Sequence, residues 1–202
     1  MMYRLGSSGD FSTTVPSATN ADTYTVYFYS AESNNYLQST PTESVNITIA
    51  EKAIVIPTPS GYSAQYDENA HTATFGSATG ASITKYRYST DNSTWTESAS
   101  NPSLTNVGTL YTQAYYTAGT NYTGSGWSSS TTISISRNTS ASASEITGLI
   151  YNGTTESNGS AQTGVSGSYV SWSGTTSATN AGSYTAYATP TSNYAWSDGT
   201  YA

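Results

Sequence analysis

At 202 residues the chain carries five Lys/Arg against 12 Asp/Glu, a formal net charge of −7. It therefore lacks the positive field that binding to a phosphate backbone needs, and nucleic acid is excluded as a partner. With no cysteine and one histidine it has neither a disulfide framework nor a zinc-ligand set, and no apolar run is long enough to imply membrane contact.

Serine and threonine number 36 each, over a third of the chain, whereas Leu, Ile, Val and Phe together number 24. Such poverty in aliphatic residues flags disorder. Charged residues are only 8%, however, so self-repulsion is weak, and 19 tyrosines and four tryptophans compensate. An aromatic side chain buries roughly 150–250 Å² when it turns inward, and threonine's branched carbon suits strands. The expectation is a folded all-β protein with Tyr/Thr-rich cores.

In chain order, "YTVYFYS" (24–30) reads as a strand, followed by "VNITI" (45–49) with Val45, Ile47 and Ile49 on one face. "TKYRYST" (84–90) sets Tyr86 and Tyr88 opposite Lys85 and Arg87. "YTQAYYT" (111–117), "TTISIS" (131–136) and "SYTAYAT" (183–189) complete the set. Turn signals lie between them in "STDNST" (89–94), "YNGTT" (151–155), "ESNGS" (156–160) and "SDGT" (197–200). No window offers a helical stripe, so helix content is expected to be very low.

One phrase occurs three times: "SATNADTYTVYFYSAESNNY" (17–36), "SLTNVGTLYTQAYYTAGTNY" (103–122) and "SATNAGSYTAYATPTSNY" (177–194). Its Thr-Asn pairs at 19–20, 105–106 and 179–180 are 86 and 74 residues apart, the size of a small β-sandwich module. The predicted boundaries are 1–52, 53–137 and 138–202. The middle segment has a full inventory. The first has few residues before its phrase, and the third has no counterpart of "VNITI" after it, so both are expected to be incomplete, with exposed edges. After the Asn, Gly108 and Gly182 are candidates for positive φ. Tyr24, Tyr111 and Tyr184 are expected to turn inward, and Tyr36, Tyr122 and Tyr194 to close the next turn over the module's end.

Those residues carry a resemblance. Tyr3, Gly9-Asp10, Phe11-Ser12, Pro16, Ala18 to Thr25, Asn35-Tyr36 and Val45 to Ile49 resemble the latter half of a bacterial immunoglobulin-like repeat. Tyr86, Tyr88, Asp91, Trp95, Thr105-Asn106, Gly108, Tyr111, Asn121-Tyr122 and Ile133 to Ile135 follow the same pattern, and 151–200 resembles a sister variant. Such repeats stand in tandem in surface proteins of Gram-positive bacteria and in tail or fibre proteins of phages. The resemblance implies tandem immunoglobulin-like β-sandwich modules, the first and last incomplete. It also implies Tyr24 and its equivalents as corner tyrosines whose hydroxyls bond nearby backbone. Asp22 departs from the usual glycine, and Leu110 lengthens the second copy by one residue.

Chemistry is sparse between the copies. His71 sits beside Asp67 and Glu68, and "YDEN" (66–69) offers a thin set of oxygen ligands; the plain reading is an exposed histidine by a turn. No serine lies in a nucleophile elbow, and the lysines at 52 and 85 are poorly placed for an internal isopeptide bond. No catalytic residue, metal or cofactor is assigned, and an enzyme is not expected. Trp127, Trp172, Trp196 and Tyr116 are the candidate exposed aromatics for binding carbohydrate or mucin-like surfaces, because neighbours such as Tyr115 and Tyr116 must face opposite ways on a strand. The resemblance implies a non-catalytic stalk or spacer, extracellular on a bacterial cell wall or in a virion appendage. Its partners would be neighbouring modules of a longer protein, with host or surface glycans as the alternative.

Overall fold

The computed structural model describes residues 1–39, 43–153 and 159–201. Residues 154–158, shared between the turn signals "YNGTT" and "ESNGS", lie outside the described residues. Among the described residues there is no helix, and the strands form several sheets. Alternating aromatic and β-branched residues drive this, with Asn, Asp, Gly and Pro punctuating each run.

The first sheet is an antiparallel meander of β1 (Met2–Leu5), β2 (Asp22–Tyr29) and β3 (Glu43–Ile49), in that spatial order. Its register sets Leu5 opposite Val26, Val26 opposite Val45, and Tyr24 opposite Ile47. Three strands make one layer, which leaves much of each face in water. Val26 is buried, but Val45 and Ile47 remain 50% and 49% exposed. Phe11 packs edge-on against Tyr29, ring centroids 4.7 Å apart, with the Arg4 guanidinium over the Phe11 ring.

After β4 (Lys52–Ala53) come β5 (Tyr62–Gln65), β6 (His71–Thr72), β7 (Ala81–Ser89), β8 (Thr96–Ser98) and β9 (Ser103–Leu104). β10 (Gly108–Ala118), β11 (Tyr122–Thr123), β12 (Ser125–Trp127) and β13 (Thr131–Ser136) follow. The largest sheet runs β5-β13-β10-β7-β8, with β12 also on β10, and β6 and β9 pair separately. β5 joins β13 in parallel, whereas β10 pairs β13 and β12 antiparallel. Leu110 and Ile133 of the large sheet pack with Ala73, and Tyr62, Phe75 and Leu104 close around them. Side chains from the large sheet and from the β6–β9 pair thus meet in a two-layer core.

The chain divides into two compact units, one of Met1–Thr58, Gly76–Lys85 and Ala114–Ser128, the other of Pro59–Phe75, Tyr86–Gln113 and Ser129–Ala202. The first holds the meander and the β10–β12 pairing, where Ala114 N donates to Ser128 Oγ and Ser128 N to the Ala114 carbonyl. The second holds the aliphatic core and three two-stranded sheets near the C-terminus. These are β14 (Ser142–Glu145) with β16 (Val165–Ser168), β15 (Gln162–Thr163) with β18 (Ser177–Ala178), and β17 (Val170–Gly174) with β19 (Ala186–Pro190). β19 starts three residues later than "SYTAYAT" predicts and has only β17 beside it among the described residues, whereas β2 and β10 are flanked on both sides.

Gly108 has φ 156°, while Gly182 is not among the residues of positive φ. Asp22 occupies the aligned place in the first copy, and a position that accepts aspartate needs no left-handed backbone.

Two core positions make opposite predictions. Ile133 is fully buried, so Ile133→Ala lowers unfolding free energy by about 2–5 kcal/mol in urea denaturation. Thr112 is also fully buried, and its hydroxyl has no partner among the described residues. Thr112→Val keeps the shape and removes that cost, raising stability by about 1 kcal/mol in the same assay.

Candidate functional site: the asparagine-tyrosine joints

The corner comes first. In the first copy Tyr24, at the start of β2, donates its hydroxyl to the Asn20 carbonyl at 3.0 Å. Tyr184 donates to the Asn180 carbonyl at 2.9 Å in the third copy. Each bond spans four residues and closes the Asn-Ala corner back onto its strand. Among the described residues Tyr111, five residues after Asn106, makes no such bond; the additional Leu110 moves its ring out of register.

The turn comes second. Tyr36 N donates to Ser33 O, Tyr122 N to Gly119 O, and Tyr194 N to Thr191 O, at 3.2, 3.1 and 2.8 Å. All three are four-residue turns with asparagine in the third place.

Corner and turn meet twice. Within the first unit, Asn121 Oδ1 accepts the Ala21 N–H at 2.7 Å, and Asn121 Nδ2 donates to Asn20 Oδ1 at 3.1 Å. Within the second unit, Asn193 Oδ1 accepts the Val107 N–H at 3.1 Å, and Asn193 Nδ2 donates to Asn106 Oδ1 at 3.0 Å. A neutral amide offers an acceptor and a donor side by side, which is what a corner with one free N–H and one side-chain oxygen requires.

The chain following each phrase enters the same joint. Lys52 N donates to the Asn121 carbonyl and Ile54 N to the Thr123 carbonyl, so β4 pairs β11 in parallel. Asn138 N donates to the Asn193 carbonyl and Ala195 N to the Asn138 carbonyl, a parallel bridge of Asn138 with Tyr194. Lys52 and Asn138 each lie 32 positions after their corner asparagine, 20 to 52 and 106 to 138. The two joints share the same hydrogen-bond partners, although Asn121 is left-handed, with φ 69°, and Asn193 is not among the residues of positive φ.

The turns rest on equivalent supports. Gly119 N donates to the carbonyl of Gly80, just before β7, and Thr191 N to that of Tyr169, just before β17. Both supports are left-handed, with φ 75° and 58°. At Gly80 a side chain would overlap the Tyr122 ring, so only glycine fits. Tyr169 instead stacks on Tyr194 at 4.0 Å, and Tyr66 meets the Tyr194 ring edge-on. Burial, and then a hydrogen bond to Glu68, push the Tyr194 hydroxyl up to about 12.

Of the six structural tyrosines, Tyr194 is buried, and Tyr24, Tyr111 and Tyr122 are half-buried. Tyr36 and Tyr184 depart from the inward expectation, at 75% and 49% exposed. Tyr36 lacks a strand of the β4 kind beside it among the described residues, and Tyr184 precedes an edge strand with one neighbour. Of the proposed surface aromatics, Tyr116 is a correction: it is 1% exposed and donates its hydroxyl to Gly76 O at 2.6 Å. Its neighbour Tyr115 faces the other way, edge-on to Trp127 with the Lys85 ammonium over both rings. Trp127, Trp172 and Trp196 are half-buried rather than exposed. Trp172 lines an open groove of about 830 Å³ with Ile146, Leu149, Tyr151, Glu145 and Tyr184.

His71 is tied to Asp67 at 2.8 Å and stacks flat on Tyr62. No group of three metal-ligating side chains occurs among the described residues. Asp67 is held down to about 2, first by His71 and then by Asn69. The turn at Asp91, which accepts from Thr94, then Ser89 and Ser93, holds that carboxyl below its ordinary range. Asp198 is lowered by Thr200. No family model, curated protein or solved structure matches the chain.

What the sequence reading missed is the asparagine before each closing tyrosine. The signal was present, since Asn-Tyr ends all three copies of the phrase. Asn121→Ala and Asn193→Ala each remove two side-chain hydrogen bonds and strand a backbone N–H. Each should cost about 1–3 kcal/mol in urea denaturation.

The depressed carboxyls fix a pH dependence. Their ionised forms stabilise the fold above the unfolded value of 3.8, and that contribution disappears as pH falls through the lower folded values. Thermal midpoints should hold from neutrality down to about pH 5 and drop below about pH 4. Asp67→Asn should flatten part of the drop.

Proposed function

We propose that the chain is a non-catalytic spacer of tandem immunoglobulin-like β-sandwich modules, with boundaries near 52 and 138. Its setting would be the stalk of an extracellular bacterial surface protein, with a virion fibre as the other place such a build serves. The single observation behind this reading is the repeated joint. Asn121 and Asn193 make the same pair of bonds to the corners at Asn20-Ala21 and Asn106-Val107. A spacer needs a fixed connection made again at each junction, and hydrogen bonds from both side chain and backbone supply one. Four of the five cations, Arg4, Lys85, Arg87 and Arg137, lie over aromatic rings, where they stabilise neighbours instead of gathering into a patch.

The groove beside Trp172 favours a second reading, recognition of a glycan by a flat ring and nearby polar groups.

Spin labels test the first reading. With Ser44→Cys and Ser82→Cys labelled, the distance distribution across the Asn121 joint should be single and narrow, and Asn121→Ala should broaden it. A broad distribution in the parent chain would remove the basis for a spacer. Glycan arrays address the second: binding lost on Trp172→Ala would replace the spacer with a binding module.

A further inference from the structure

Both halves of the joint occur once more, unengaged. The third corner, Asn180-Ala181, has the same closing bond from its tyrosine as the first, Tyr184 to the Asn180 carbonyl. Beneath the occupied joints, Ala21 and Val107 are half-buried, whereas Ala181 is exposed and nothing among the described residues bonds its N–H; the corner asparagines 20, 106 and 180 are exposed in all three. The first turn, Ser33 to Tyr36, has the same closing bond as the turns at 119–122 and 191–194, but its Ser33 N–H returns to the Tyr36 carbonyl where Gly119 and Thr191 donate to a support. Asn121 and Asn193 are half-buried in their joints, whereas Asn35 is exposed and its side-chain amide has no partner among the described residues. Tyr36 and Leu37 beside it are 75% and 86% exposed.

We infer that the Asn180-Ala181 corner is an acceptor for an asparagine-tyrosine turn, and that a second copy of this chain supplies it through Asn35-Tyr36. Asn35 Oδ1 accepts the Ala181 N–H and its Nδ2 donates to Asn180 Oδ1, as Asn121 and Asn193 do in the joints already formed. The occupant is a second copy because this chain itself carries the complementary half, a closed turn whose asparagine amide has no partner among the described residues. The contact is heterologous, the turn of one copy against the corner of the next, so it adds copies in one direction and either closes into a ring or runs on as an open chain. Without the tethered parallel strand that accompanies each internal joint, it is weak and appears at high concentration. This rests on the joint geometry and is independent of the spacer reading, which the spin-label distances decide separately.

Sedimentation equilibrium on the full chain, from about 10 μM to about 1 mM, covers the affinity range of such a contact. Average mass should rise above that of one chain as concentration increases, and in a ¹⁵N-labelled sample the Ala181 amide should shift with concentration. Asn35→Ala and Asn180→Ala, both at exposed positions, should each weaken association by about tenfold while circular dichroism stays unchanged, as loss of one or two neutral hydrogen bonds requires. A chain that remains monomeric throughout overturns the inference. So does association that leaves the Ala181 amide unmoved or survives both substitutions.

Discussion

A primary amide set against a backbone corner holds this molecule in register. Among the described residues there are no disulfides, and the aliphatic core is small. Order between successive segments therefore depends on neutral hydrogen bonds. Asn121 and Asn193 are suited to it because each uses both faces of its amide and also its own carbonyl, which accepts from the chain arriving at Lys52 or Asn138. One residue thus joins a corner, a turn and a linker. Neutral bonds of this kind are little screened by salt, unlike ion pairs at a surface.

The rest of the fold follows from building with tyrosine and threonine. A tyrosine can enter a thin sheet because its hydroxyl finds a backbone carbonyl, as Tyr116 does at Gly76 and Tyr24 at Asn20. Threonine substitutes for valine in strands at a cost that shows at Thr112, buried without a partner for its hydroxyl. The aliphatic residues are concentrated where two sheets face each other, around Ile133 and Leu110. Where only one layer exists, as in β1 to β3, the same residue types at Val45 and Ile47 stay in water. Burial depends on what lies opposite as much as on the side chain itself.

Strand positions were largely legible because period-2 alternation is local: "VNITI" and "TTISIS" lie within β3 and β13. β19 began late because residues 183–185 lack a partner strand, and pairing is not written in the residues of one strand. Tyr116 is expected outside and is buried, an error of one residue in the phase of the strand. The corner could be anticipated from Tyr24 and Tyr184, four residues after their asparagines. The joint could not, because its partners lie 100 and 86 residues apart along the chain. Only the recurrence of Asn-Tyr marked the place.

The two supports under the joints show how one backbone shape is reached by different chemistry. Gly80 and Tyr169 both hold positive φ and offer a carbonyl to the turn above. Glycine adopts that conformation freely, and the Tyr122 ring occupies the space where its side chain would be. Tyrosine adopts it only against a strain of about 1–3 kcal/mol, offset where the ring has somewhere favourable to go. Tyr169 has such a place, flat against Tyr194, which itself sits edge-on to Tyr66 and bonds Glu68. In the first unit the joint is therefore supported by the absence of a side chain, in the second by an aromatic stack. The bonds made by Asn121 and Asn193 are alike even so, although Asn121 has φ 69° and Asn193 is not among the residues of positive φ, which places the constraint on the hydrogen-bond partners and leaves the turn backbone and the packing beneath free to vary.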